Sequence, residues 1–149
     1  MIKPVVLGFY GTSNTGKTTA IIDLITLLRL KGFTVATIKK TAHYIMLDTP
    51  GKDTYRHGQA GACPVVLSSS AETTFIVNKP LTEQQIINHL TSLSDVDIIL
   101  IEGCSDDAIK KVKMDDDVET RKNTIFSYQM DKENIKNYVL DELGRRKKS

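Results

Sequence analysis

Eight residues, Gly11-Thr12-Ser13-Asn14-Thr15-Gly16-Lys17-Thr18, constrain this chain more than any other stretch of it. The run Val5-Val6-Leu7-Gly8-Phe9-Tyr10 precedes them and suits a buried strand. Ile21, Leu24, Ile25 and Leu28 follow at helical spacing. The pattern GxxxxGK[ST] carries meaning only in such a strand–loop–helix setting. Gly11 and Gly16 allow backbone angles and close approach that a side chain would block. Successive N–H groups then face one concavity, a nest for phosphate oxygens, and the helix N-terminus adds about half a unit of positive charge. Lys17 is placed to reach the β- and γ-phosphates of a nucleoside triphosphate, and Thr18 to offer its hydroxyl to Mg²⁺. With Thr19 in the first helical turn, the nucleotide-binding set runs from Gly11 through Thr12, Ser13, Asn14, Thr15, Gly16, Lys17 and Thr18 to Thr19. Some related ATPases carry a Lys just after the first Gly; here that position is Thr12.

Gly32 stands where a helix C-cap belongs, and Phe33 to Ile38 is β-rich, completing a βαβ unit. Residues 39–53 are polar and include Pro50-Gly51, a loop. A short helix is expected over Thr54–Ala60. Strands are expected over Pro64–Ser68 and Thr73–Val77, joined as a hairpin through Ser70-Ala71-Glu72. Thr82 with Gln85 forms a capping box for a helix whose face bears Ile86, Ile87, Leu90 and Leu93. Val96–Ile101 is a very apolar strand, Ile109–Met114 an edge strand, Asp115–Asn123 a charged loop and Thr124–Tyr128 a last strand. Asp131 caps a final helix bearing Ile135, Val139 and Leu143. The fold class is α/β, a three-layer P-loop NTPase with a mainly parallel sheet. Residues 1–144 form one nucleotide-binding domain and residues 145–149 a basic tail.

A phosphate loop of this kind works with a second acidic group at the end of an apolar strand. Two carboxylates compete. Glu102 ends the Val96–Ile101 strand, where open α/β sheets bind ligands. Asp48-Thr49-Pro50-Gly51 has the DxxG form of a GTPase switch, but its flank His43–Leu47 is a weaker strand. The candidate catalytic groups are therefore Lys17 with Glu102, Asp48 or both. Asn78-Lys79-Pro80-Leu81 lacks the Asp of a guanine-recognition NKxD motif, so spacing alone does not separate GTP from ATP. Lys39, His43, Lys52, Asp53, Arg56 and His57 gather charge near the expected ligand edge and are possible substrate contacts.

Net charge is +2, and Arg145-Arg146-Lys147-Lys148 contribute +4, leaving about −2 for the rest. That balance, with no Trp and 6% aromatic residues, argues against a nucleic-acid surface. No apolar run approaches a membrane span. Cys63 and Cys104 have no metal-ligand spacing, and with no targeting segment in view they suggest a reducing cytosol.

The phosphate loop, Ile38-Lys39-Lys40 with His43, Asp48-Thr49-Pro50-Gly51-Lys52-Asp53-Thr54-Tyr55-Arg56-His57, Ala60-Gly61-Ala62, Val65-Val66-Leu67-Ser68-Ser69 and Ile99-Leu100-Ile101-Glu102-Gly103 occur in this order. Over residues 3–114 the chain resembles the molybdopterin-guanine dinucleotide biosynthesis protein B (MobB) family. The resemblance implies a homodimeric, Mg²⁺-dependent GTP-binding protein with weak GTPase activity. It would assist a partner nucleotidyltransferase, MobA-like, in attaching GMP to molybdopterin for molybdenum or tungsten enzymes. The chain departs from the family at several points. Lys40 stands where a His is common, Cys104-Ser105 where an aromatic and a Lys are common, and Lys110-Lys111 where Pro-Lys is common. An ATP-dependent small-molecule kinase is the alternative, although the few arginines, Arg29, Arg56, Arg121, Arg145 and Arg146, offer no close pair before the tail. A nucleotide-binding module without useful turnover is the third reading.

Overall fold

A computed structural model describes residues 3–146. The chain divides into two compact units, Ala42–Thr82 and the remainder, Met1–Thr41 with Glu83–Ser149.

The larger unit is built on β1 (Val5–Tyr10), β2 (Val35–Lys39), β5 (Ile98–Glu102), β6 (Lys111–Lys113) and β7 (Thr124–Ser127), which form one sheet in the order β2-β5-β1-β6-β7. Every pairing in it is parallel. A parallel sheet covered on both faces needs strands that are apolar throughout, and Ile98, Ile99, Leu100 and Ile101 are wholly buried. Helices α1 (Lys17–Leu30) and α4 (Tyr128–Arg146) pack on one face. Their Ala20, Leu24, Leu28, Ile135, Val139 and Leu143 meet Leu7, Phe9 and Leu100. Helix α3 (Glu83–Leu93) covers the other face with Ile86, Ile87 and Leu90 against Ile99 and Ile101. The result is the three-layer α/β arrangement that the hydrophobic pattern predicts. Helix α1 closes with a double cap, Gly32 N–H to Arg29 O at 3.0 Å and Phe33 N–H to Leu28 O at 3.0 Å.

The smaller unit contains α2 (Asp53–Gln59) and an antiparallel hairpin, β3 (Val65–Ser68) with β4 (Thr73–Ile76). The hairpin forms its own two-stranded sheet. Val65 is the unit's one buried hydrophobic residue among those described, whereas Tyr44, Leu47, Val66, Leu67 and Phe75 are exposed.

Several sequence expectations are corrected. Strand β6 is not an edge: it pairs with both β1 and β7, and its Lys111 and Val112 are fully buried. Leu93 lies in the last turn of α3 and is exposed, so it does not share that helix's core face. The last strand stops at Ser127, and Tyr128 already opens α4, which kinks at Asp131 (φ −124°, ψ 20°). Arg145 and Arg146 belong to α4 rather than to a tail; Lys147 and Lys148 lie outside the described residues. Arg146 donates to Asp97 Oδ1 at 2.7 Å and to Val96 O at 3.1 Å, tying the end of α4 to the start of β5.

Candidate functional site

Strand β1 is central in the sheet, so its C-terminal end delivers Gly11 to the edge where open α/β sheets bind ligands. Between Gly11 and α1 the backbone changes hand twice. Asn14 has φ 61° and Gly16, the N-cap of α1, has φ 85°. Asn tolerates the left-handed region through its short polar side chain, and glycine enters it without strain. This alternation is what a nest of inward N–H groups requires. Lys17 folds back over the loop, and its Nζ donates to Gly11 O at 3.0 Å, to Thr12 O and to Thr15 Oγ1 at 3.5 Å. The ammonium is thus held at the loop by weak carbonyl and hydroxyl acceptors, which an anionic phosphate would replace with charge-assisted bonds.

A second carboxylate supports the loop from the β6 side. Asp115 is buried; its Oδ2 accepts from Thr12 N–H at 2.9 Å and Thr12 Oγ1 at 3.4 Å, and its Oδ1 accepts from Asp117 N–H at 3.1 Å. A Cβ at Gly11 would lie 2.5 Å from Asp115 Oδ2, so this contact itself demands glycine there. The sequence places Asp115 in a charged loop and does not mark it out. The available signal is the one that identifies Glu102, an acidic residue just past the C-terminal end of a strand that flanks β1.

Glu102 ends β5, opposite Phe9 of β1 and Lys39 of β2. Its two oxygens accept from Thr18 Oγ1 at 3.0 and 3.1 Å. Lys39 Nζ lies 3.8 Å from Oε1, an exposed pairing of small weight. A hydroxyl and a carboxylate converging at the mouth of a phosphate loop are hard oxygen donors of the kind Mg²⁺ prefers. Among the described residues no group of three or more His, Cys, Asp or Glu side chains gathers. A Mg²⁺ at this point would therefore complete its shell with phosphate oxygens and water, as that ion does beside nucleotides.

The other expected site residues belong to the smaller unit or its approach. Asp48 Oδ1 accepts from Thr49 N–H and from Thr54 Oγ1, both at 2.9 Å, so it braces the loop against the first turn of α2. Lys52 is the N-cap of α2, and Asp53 and Arg56 form an exposed pair at 3.9 Å across its first turn. His57 lies on the same helix, and His43 is exposed in the segment before it. Asn78 packs beside Gly58, a local role for the NKxD-like stretch.

Two of the positions where the chain departs from the family pattern are in contact. Lys40 Nζ donates to Ser105 Oγ at 2.8 Å, and both meet Glu83, a residue the sequence does not single out. Cys104 is fully buried beneath them. Burial, reinforced by the charge of Glu83, pushes its thiol up from 9.0 to about 11. Arg121 lies over the Tyr10 ring and donates to Cys104 O at 2.6 Å.

Residues 6–138 match the family model for molybdopterin guanine dinucleotide synthesis protein B. The molybdopterin-guanine dinucleotide biosynthesis adapter protein of Escherichia coli is 35% identical over 109 residues, 71% of this chain and 62% of that protein. The adapter protein of the same description from Haemophilus influenzae is 30% identical over 109 residues, 71% of this chain and 60% of that protein. The chain thus spans about three-fifths of these relatives' lengths. The crystal structure of Bacillus subtilis MobB superposes with a TM-score of 0.67 at 21% identity, covering 93% of this chain and 97% of that one, a likeness of fold. With the phosphate-loop geometry and a family match spanning most of its length, the chain belongs to the molybdopterin guanine dinucleotide synthesis protein B (MobB) family.

Proposed function

We propose that this chain binds GTP with Mg²⁺ at the Gly11–Thr18 loop and acts as an accessory factor in molybdopterin-guanine dinucleotide biosynthesis. The observation that carries the nucleotide reading is the meeting of Thr18 Oγ1 with the Glu102 carboxylate at 3.0 and 3.1 Å, beside a lysine poised at the loop. On this reading the loop N–H groups and Lys17 hold the phosphates. Thr18 and Glu102 hold Mg²⁺, directly or through water. The choice of guanine, the weak GTPase activity, molybdopterin as the acceptor of GMP and a MobA-like nucleotidyltransferase as partner rest on family membership. The exposed apolar residues of the smaller unit support a homodimer, since surface of that kind is normally covered by a partner. A cytoplasmic setting is part of the same proposal, and no described helix is long and apolar enough to cross a membrane.

The kinase alternative gains no support from the arginines. Arg29 donates to Phe33 O at the far end of α1, Arg121 to Cys104 O and Arg146 to Asp97. Nucleotide-dependent melting tests the proposal. Saturation at 100 times Kd adds about 2.7 kcal/mol to stability. In a chain of this size that is a rise of about 5–10 °C. GTP with Mg²⁺ is expected to give that rise, ATP a smaller one, and Lys17→Ala none. Equal shifts with GTP and ATP refute the guanine preference; an unaltered shift in Lys17→Ala refutes the site.

A further inference from the structure

Glu83 opens α3 and is 5% exposed. A carboxylate buried to that degree is costly unless fully engaged. Its Oε1 accepts from Ser105 N–H at 2.8 Å and Ser105 Oγ at 3.4 Å, and pairs with Lys40 Nζ at 3.1 Å. These two partners bracket the candidate metal carboxylate. Lys40 N–H donates to the main-chain oxygen of Glu102 at 2.8 Å, from the end of the neighbouring strand. Ser105 lies three residues beyond Glu102, across a turn whose Gly103 and Cys104 N–H groups both donate to Phe9 O, at 2.9 and 3.2 Å. The turn carrying Glu102 is therefore pinned from β1 by Phe9, from β2 by Lys40 and from α3 by Glu83.

We propose that Glu83 is a positioning residue for Glu102, and so for Mg²⁺. It touches neither phosphate nor metal. It holds the backbone beyond Glu102 through Ser105 N–H, and through the Lys40 side chain it holds the strand end whose N–H bonds Glu102 O; this keeps the Glu102 oxygens aimed at Thr18. The phosphate loop has its own supports, Asp115 on Thr12 and the N-terminus of α1, and does not depend on this network. Glu83 thus governs the metal-dependent part of nucleotide binding and leaves the metal-free part alone. The proposal rests on the Mg²⁺–nucleotide reading above.

The test separates those two parts. GTP binding to the full chain is measured in EDTA and across a Mg²⁺ titration, for the parent, Glu83→Gln and Lys40→Met. Glutamine keeps an acceptor for Ser105 N–H and removes only the charge that Lys40 answers, so the variant retains the fold. Loss of a supporting partner around a metal ligand typically weakens metal affinity at least tenfold. The half-saturating Mg²⁺ concentration is expected to rise about tenfold in either variant. GTP affinity in EDTA is expected to stay within about twofold of the parent. The double variant is expected to lose no more than either single one, because the two residues act as one pair. A parallel fall in both affinities overturns the proposal and makes Glu83 a general structural residue. No change in either also overturns it. A parent chain that binds no nucleotide in EDTA or in Mg²⁺ overturns the nucleotide reading, and this proposal with it.

Discussion

Replacing Asp115 with Ala removes one carboxylate and strands two main-chain donors, Thr12 N–H at 2.9 Å and Asp117 N–H at 3.1 Å. A hydrogen bond to a charged group is worth about 1.5–3 kcal/mol. Asp115 is buried, so the Thr12 bond keeps much of that value. Asp117 is exposed, and water replaces much of its bond. Together these give a loss of about 3 kcal/mol. In a chain of this size each kcal/mol moves the melting temperature by about 2–4 °C, so Asp115→Ala is expected to melt about 6–12 °C below the parent. Asp115→Asn retains one carbonyl acceptor and is expected to lose roughly half as much. Thermal unfolding followed by circular dichroism, without nucleotide, reads both variants. A fall of less than about 2 °C for Ala, or equal falls for Ala and Asn, refutes the claim that this carboxylate fastens the loop.

Glu102→Gln is expected to raise the half-saturating Mg²⁺ for GTP binding by at least about tenfold, whereas Asp48→Asn leaves it unchanged; the reverse result in a Mg²⁺ titration reassigns the metal carboxylate. Arg146→Ala cuts the bonds to Asp97 and Val96 and is expected to cost about 2 kcal/mol in urea unfolding, where an unmoved midpoint contradicts the anchoring of α4. A thiol reagent at about pH 8 is expected to titrate one cysteine in the native chain, exposed Cys63, and two after denaturation. The Cys104 thiol lies above its ordinary value, so burying it neutral helps the fold below about pH 9. That contribution is lost as pH climbs from 9.0 to about 11, so denaturant midpoints should fall more steeply over that range in the parent than in Cys104→Ala.

What was legible in the sequence is what periodicity and local chemistry encode. The strand–loop–helix around Gly11–Thr18, the apolar β5 and the stripe of Ile135, Val139 and Leu143 each carry their own period, and each is where the pattern puts it. Pairing order is not local, and so β6 reads as an edge strand: Lys111 looks like a surface residue until its Nζ is seen donating to Ile109 O and Lys122 O. The same limit hides Asp115 and Glu83. Each is an ordinary acidic residue in a loop or a first helical turn, and acquires its role from partners about 100 and 20 residues away in sequence. Glu102 was legible because it ends the second most apolar strand. Asp48 was ambiguous because a DxxG motif and a turn-forming Asp before Pro share the same residues.

The Lys40–Glu83 pair also bears on how such a chain varies. The smaller unit leaves the larger one after Thr41 and returns at Glu83, and the residues at those two junctions are joined at 3.1 Å. The excursion is closed at its base, like a drawstring. Loop-closure entropy grows only with the logarithm of length, so residues inserted or deleted beyond the tie cost β2 and α3 little. Changes of length within residues 42–82 are thus expected to leave the five-stranded sheet intact. Replacing the whole excursion with a short turn is expected to leave the phosphate loop folded.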